Sequence, residues 1–243
     1  MHHRTADLPA RDRLLLVHDP QHLDSGALRF LDARGGQVAQ MPFTGARGVS
    51  PCFTPGTMIV TARGEVAVEL LSVGDKVITR DNGLQVIRWI GRRKINAALC
   101  LTHCHLAPVR IHKGALGNDL PERDMMVSPN HRMLVANDKT ALHFEDSEVL
   151  VAAKHLTGLA GVDVVYDRET AYLHLMFDHH EVILSDGTWS ESFQPDGQTL
   201  AGIGNAQRLE LLELFPELAT PEGIKRYRAA RRIVRSAEVV FLR

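Results

Sequence analysis

The chemistry of this chain starts at a thiol that follows a proline. Cys52 lies in Ser50-Pro51-Cys52-Phe53-Thr54-Pro55-Gly56-Thr57, just before a β-branched run. A cysteine can be a small buried hydrophobe or, once its proton is removed, a nucleophile. Taken alone, Cys52 reads as packing. Far downstream, Asp124-Met125-Met126-Val127-Ser128-Pro129-Asn130-His131-Arg132-Met133-Leu134-Val135 sets His131 at a bend between two apolar runs, with Ser128 on the same bend. A hydroxyl and an imidazole placed this way can orient and move a proton. A third stretch, Thr170 to Gly187, carries His174, His179 and His180 before an apolar run and a Ser185-Asp186-Gly187 turn. A thiol, a hydroxyl and several imidazoles are the groups of cysteine-based acyl transfer.

The other two cysteines point elsewhere. Cys100-Leu101-Thr102-His103-Cys104-His105 has the spacing of one zinc knuckle, but a structural zinc site needs a second pair of ligands. Only scattered histidines follow. On strand alternation Cys100, Thr102 and Cys104 share one face and His103 and His105 the other. The expectation is therefore a strand with packed cysteines, and neither a metal nor a cofactor. Three cysteines are too few for a disulfide scaffold, and none stands at Cys-x-x-Cys spacing from Cys52, which removes the usual thiol-redox pair.

The elements that would position these groups are short strands. From Pro51 to about Pro195, runs such as Met58–Thr61, Lys76–Thr79, Val86–Ile90, Met125–Val127, Met133–Val135, Val162–Tyr166 and Glu181–Leu184 alternate with turn signals such as Arg63-Gly64, Gly74-Asp75 and Asn82-Gly83. That texture predicts an all-β domain over residues 51–195. Residues 1–50 read as an N-terminal flank with two short strands, at Leu14–Val17 and Leu28–Leu31. Residues 196–243 read as a helical extension. Asn205 to Phe215 is a helix stopped by Pro216, Thr220-Pro221-Glu222 opens a basic stretch, and Glu238–Leu242 is a closing strand. The arginines of the basic stretch read as a solvated helix face rather than a nucleic-acid contact.

Composition narrows the function classes. The 243 residues carry 28 Lys+Arg against 29 Asp+Glu, a formal charge of −1, so the electrostatic footprint of a nucleic-acid binder is missing. No apolar run approaches the roughly 20 residues of a membrane span. The first residues, Met1 to Asp7, have no apolar core of a Sec signal peptide, which makes the cytoplasm the default location and leaves non-classical export open.

Three segments in this order resemble the Hint family, the Hedgehog/intein self-processing domains, and especially its stand-alone bacterial members. The resemblance rests on Cys52-Phe53-Thr54-Pro55-Gly56-Thr57, on Leu70-Leu71-Ser72-Val73-Gly74-Asp75-Lys76-Val77, and on the Ser128-Pro129-Asn130-His131 bend. It implies an all-β horseshoe of short strands. It also implies self-processing at Pro51-Cys52, in which Cys52 attacks the Pro51 carbonyl to give a thioester. His131 would protonate the departing nitrogen, with Ser128 orienting it. Thr102-His103-Cys104-His105 matches the letters of the family's Thr-x-x-His, but Ser128 to His131 matches its surroundings. In the late block His180 takes the family's histidine, and His174 takes a place often held by an acid. A register through Asp167 supplies the acid itself, and both alternatives stand. The substrate would be the chain's own N-terminal segment, and water or a thiol the resolving nucleophile. Splicing needs a His-Asn pair whose asparagine cyclises, and the chain has none. The competing expectation is a Hint-fold binding or assembly module that has lost activity.

Overall fold

The computed structural model describes residues 13–19, 22–31, 37–43, 51–144, 146–166, 168–195, 199–200 and 205–242. Two compact units divide at Ala46. The first, Met1–Ala46, is an antiparallel meander of β1 (Arg13–Asp19), β2 (His22–Leu31) and β3 (Gln37–Phe43). The sequence pattern marks two of these strands; β3, with Pro42 and two glutamines in it, lacks their apolar run.

The second unit, Arg47–Arg243, holds β4 (Met58–Thr61), β5 (Gly64–Ala67), β6 (Lys76–Thr79), β7 (Gly83–Val86), β8 (Trp89–Ile95), β9 (Val109–Ile111), β10 (Met125–Val127), β11 (Arg132–Val135), β12 (Val149–Ala152), β13 (Val162–Val164), β14 (Thr170–Met176), β15 (Val182–Ser185), β16 (Thr188–Glu191) and β17 (Arg232–Ile233). Among the described residues they are joined by helices that include α1 (Ala97–Thr102), α2 (Asp138–Phe144), α3 (Asn205–Leu214) and α4 (Pro221–Arg226). Among the described residues the largest sheet runs β17-β12-β11-β16-β15-β4-β6-β7, with β5 beside β4. A second has the order β10-β9-β13, and β14 and β8 form a two-stranded sheet. The chain is thus mostly β, with a small helical C-terminal part.

Local chemistry accounts for the turns. Gly74 has φ +97°, a conformation that a side chain resists, and it donates to the Ile87 carbonyl. Beside it Asp75 accepts from the Ser72 amide at 3.0 Å and from Arg63 at 2.9 Å, so its carboxylate closes the turn as the Gly-Asp signal predicts. Asp186 and Gly187 both adopt positive φ between β15 and β16, the conformation of a two-residue hairpin turn.

Strand β14 matters most for the site, because both of its faces are covered. Leu173 and Leu175 enter the main core with Phe53, Val127 and Ile183. On the other face Tyr172 joins Cys52, Ile95 and Cys100, while Met176 joins Trp89, Phe193, Leu211 and Tyr227. His174 lies between these two clusters on the same face.

Several expectations need correction. The Cys100–Cys104 segment is no strand: α1 ends at Thr102, and a turn of 3-10 helix follows from Cys104 to Leu106. Cys100 is buried and Cys104 exposed, so alternation assigned the two cysteines to one face wrongly. The run Val86–Ile90 is broken, because Ile87 bonds to Gly74 and Asp75 while Arg88 bonds to Met176. The closing strand is Arg232–Ile233, parallel to β12, and residues 236–242 form a 3-10 turn instead. Only the first part of the basic stretch is helical. Its Arg231 is not solvated but pairs with Asp81 and Glu148 at 2.7 and 2.8 Å.

Gly91 is opposite His174 in the β8–β14 register. A Cβ there would come within 2.3 Å of the Trp89 ring. Gly91→Ala is expected to cost about 1–3 kcal/mol by forcing that ring aside, as read by denaturant unfolding. Unchanged stability would show that Trp89 is not held as described.

Candidate functional site

Cys52 enters the fold as a short extended segment wedged between two strands. Phe53 exchanges both backbone hydrogen bonds with Leu173 of β14, each at 2.9 Å. On the other side one serine takes both backbone groups of Cys52. The Cys52 amide donates to Ser128 Oγ at 3.0 Å, and the Ser128 amide donates to the Cys52 carbonyl at 3.0 Å. Thr54 Oγ1 adds a bond to the Met126 carbonyl at 2.9 Å. The peptide between Pro51 and Cys52 is therefore fixed in place, with both residues buried.

His174 reaches this peptide from β14. Its Nδ1 is 2.9 Å from the Pro51 carbonyl oxygen, and the Cys52 sulfur is 3.4 Å from Nδ1 and 3.5 Å from Nε2. A carbonyl only accepts, so Nδ1 carries the proton and Nε2 keeps its lone pair. Trp89 stacks over the imidazole at 6.1 Å and Phe193 meets it edge-on at 5.0 Å. Burial in this aromatic box lowers the His174 pKa to about 4, against the opposing pull of the Pro51 bond. Burial also pushes the Cys52 thiol well above its ordinary range, which a hydrogen bond from Ser128 and the charge of Arg93 only partly offset. At neutral pH the pair is a neutral thiol and a neutral imidazole.

His131 belongs to the same bend as Ser128. Its amide donates to the Ser128 carbonyl at 3.0 Å, and its carbonyl accepts from Ala153 at 2.9 Å. The ring meets Phe53 edge-on at 4.4 Å, and both ring nitrogens are buried with no hydrogen-bond partner. Burial lowers its pKa to about 4. The Cys52 nitrogen is thus held by Ser128 and not by the His131 ring.

His180 is buried too, but its contacts are different. Its Nδ1 accepts from the Ala230 amide at 2.9 Å, and its Nε2 lies 3.2 Å from the Glu191 carboxylate. His179 is exposed. Asp167 lies outside the described residues. The alternative Thr102-to-His105 motif falls on α1 and the turn after it, where the His103 and His105 rings pair with each other at 5.8 Å. Among the described residues no group of three or more His, Cys, Asp or Glu side chains could hold a metal ion.

Two sets of site residues escape the sequence pattern. Trp89 and Phe193, which wall His174, read as ordinary core. Glu191 is fully buried at the end of β16. Its signal was a carboxylate at an inward position of an apolar hairpin, a residue type almost never buried without a partner.

Two outcomes follow from the burial. Exposed Cys104 should react with iodoacetamide in the native protein well before Cys52 or Cys100; equal rates at Cys52 would contradict its enclosure. The second concerns acid. His131 and His174 have folded pKa values near 4 against 6.5, so the unfolded chain binds more protons between those limits. Their contribution is intact above pH 6.5 and lost as the pH falls towards 4, by about 3 kcal/mol for each ring. Unfolding by urea at pH 7 and pH 4.5 should show the loss, and a flat profile would contradict it.

The sequence matches the model of the Hint domain family over residues 51–197. No curated protein matches it. Similar solved structures include a bacterial intein-like domain from Clostridium thermocellum, 15% identical, covering 60% of this chain and 99% of that one, with a TM-score of 0.40. A DnaB intein from Synechocystis sp. PCC 6803 is 12% identical, covering 59% and 99%, with a TM-score of 0.34. The gp41-1 intein is 11% identical, covering 58% and 98%, with a TM-score of 0.36. The family match extends over more than half of the chain and takes in the thiol, the 128–131 bend and His174: this protein belongs to the Hint domain family.

Proposed function

We propose that this domain cleaves its own chain at Pro51-Cys52 through an N-to-S acyl shift, without splicing. One observation carries the reading. The oxygen, nitrogen and neighbouring sulfur of that peptide each have a buried polar partner: His174 Nδ1 for the oxygen, Ser128 Oγ for the nitrogen, and the His174 ring for the sulfur.

The amide is protected by resonance, so attack needs charge stabilisation at oxygen and a proton at nitrogen. Cys52 Sγ attacks the Pro51 carbonyl carbon and its proton passes to His174 Nε2. The carbonyl π electrons move onto the Pro51 oxygen, where the Nδ1–H of the same ring, now a cation, stabilises them. As the C–N bond breaks, its electron pair stays on the Cys52 nitrogen. His131, with two unpartnered ring nitrogens on the Ser128 bend, is the acid we assign to that nitrogen, acting in the small fraction of molecules whose ring has taken a proton from water. Sulfur loses one proton, nitrogen gains one, and the two rings re-equilibrate with water. Water or a thiol then resolves the thioester and frees the segment ending at Pro51. No His-Asn pair exists to release a downstream segment, and the hairpin strand ends in Glu191-Ser192 instead.

A second reading, an inert Hint scaffold, draws on the raised thiol pKa and on the stiff proline acyl group, both of which slow attack. One experiment separates them. With hydroxylamine or dithiothreitol, the wild type is expected to release slowly a fragment ending at Pro51, visible by intact mass. Pro51→Gly should be faster. Cys52→Ala should abolish release, and His131→Ala should slow it about a hundredfold. Cys104→Ala should leave it unchanged. If wild type and Pro51→Gly both stay intact for days at neutral pH, the scaffold reading holds.

A further inference from the structure

We propose that Glu191 is a positioning residue for the acyl shift, its buried carboxylate clamping the 128–132 bend and supplying the negative charge beside which the His131 ring can carry a proton. The inference rests on the self-cleavage reading and adds to it a residue that none of the three family segments contains.

The clamp is direct. Glu191 Oε1 accepts from the Arg132 backbone amide at 2.8 Å, and Oε2 takes the Arg132 guanidinium at 2.7 Å. The bond to the amide fixes the backbone one residue after His131. Oε2 also lies 3.2 Å from His180 Nε2. His180 Nδ1 accepts from Ala230, so the proton of a neutral His180 ring sits on Nε2, facing the carboxylate. Glu191 itself is fully buried. Burial alone would raise its pKa, but Arg132 and His180 outweigh that and hold it below the usual carboxylate range, so it stays charged.

That charge has a target. The His131 ring is buried without a hydrogen bond, the environment that most disfavours an imidazolium. The groups whose charges reach it are Glu191 from β16, Arg132 next to it at the start of β11, His174 from β14 and His180 ahead of β15. Glu191 alone favours the proton. Without it, the Arg132 cation would stand uncompensated one residue away. The same strand end continues to Phe193, whose amide bonds to Leu175 at 2.7 Å and whose ring packs on His174. Residues 191–193 therefore set the position of both imidazoles at once.

The test reads His131 itself. In protein labelled with ¹³C-histidine and carrying Cys52→Ala to prevent processing, Glu191→Gln keeps the acceptor for the Arg132 amide but removes the charge. The His131 resonance, assigned by its loss in His131→Ala, should then titrate at least half a unit lower. Arg132→Gln, which removes the opposing cation, should move it upwards. With Cys52 restored, Glu191→Gln should slow dithiothreitol-induced cleavage at least tenfold at neutral pH, with a smaller deficit in acid. An unmoved His131 titration in either folded variant overturns the role of Glu191. Wild type that never cleaves, while the titrations shift as stated, overturns the self-cleavage reading instead.

Discussion

The site depends on the grip of Ser128 on both backbone groups of Cys52. A cysteine at the start of an extended segment would normally be free to turn about its own peptide. Here one residue accepts from its amide and donates to its carbonyl, while Phe53 is paired with Leu173 on the opposite side. Those bonds leave the Pro51-Cys52 peptide no alternative position. The rest of the fold supports the grip: β10 and β11 frame the 128–131 bend, and β14 carries Leu173 and His174 on opposite faces. Loss of the Ser128 hydroxyl would strand a buried amide, a penalty of about 1–3 kcal/mol before any effect on chemistry.

Enclosure has opposing consequences. It strengthens each polar contact with the peptide, because little water competes. It also keeps the thiol protonated and both imidazoles neutral, so no reactive ion is present at rest. In the reading proposed above, the same His174 ring receives the thiol proton and stabilises the oxygen, so the charge separates only across hydrogen-bonding distance. A slow, single-turnover reaction is the natural output of such a site. A fast nucleophile would call for a thiolate in an electropositive, partly open setting.

Much of this was legible in the residue pattern, and the failures have physical causes. Alternating β-branched runs with glycine turns marked β4, β6, β10, β11 and β15. The Gly74-Asp75 pair marks its turn as well. Strand β9 escapes the pattern because three residues are too short a run to establish alternation, and β12 because Val149–Ala152 is apolar throughout. Strand β14 reads as a histidine-bearing block because both of its faces are buried, which erases alternation. The cysteines at 100 and 104 were misplaced because a six-residue helix gives too short a window to tell its period from a strand's. Cys52, Ser128 and His174 were singled out as candidates and do meet in space. The partners of Glu191 could not be foreseen, since the ion pair joins strands that are distant in sequence.

The central claim is that His174 donates through Nδ1 to the Pro51 carbonyl and keeps Nε2 free for the thiol proton. The tautomer is measurable directly. In ¹⁵N-histidine-labelled Cys52→Ser protein at pH 7.5, the His174 ring nitrogens report which of them carries the proton, with His174→Gln giving the assignment. The account predicts a neutral ring protonated at Nδ1. A ring protonated at Nε2 would leave the Pro51 oxygen without its donor and the thiol without its base, and would contradict it.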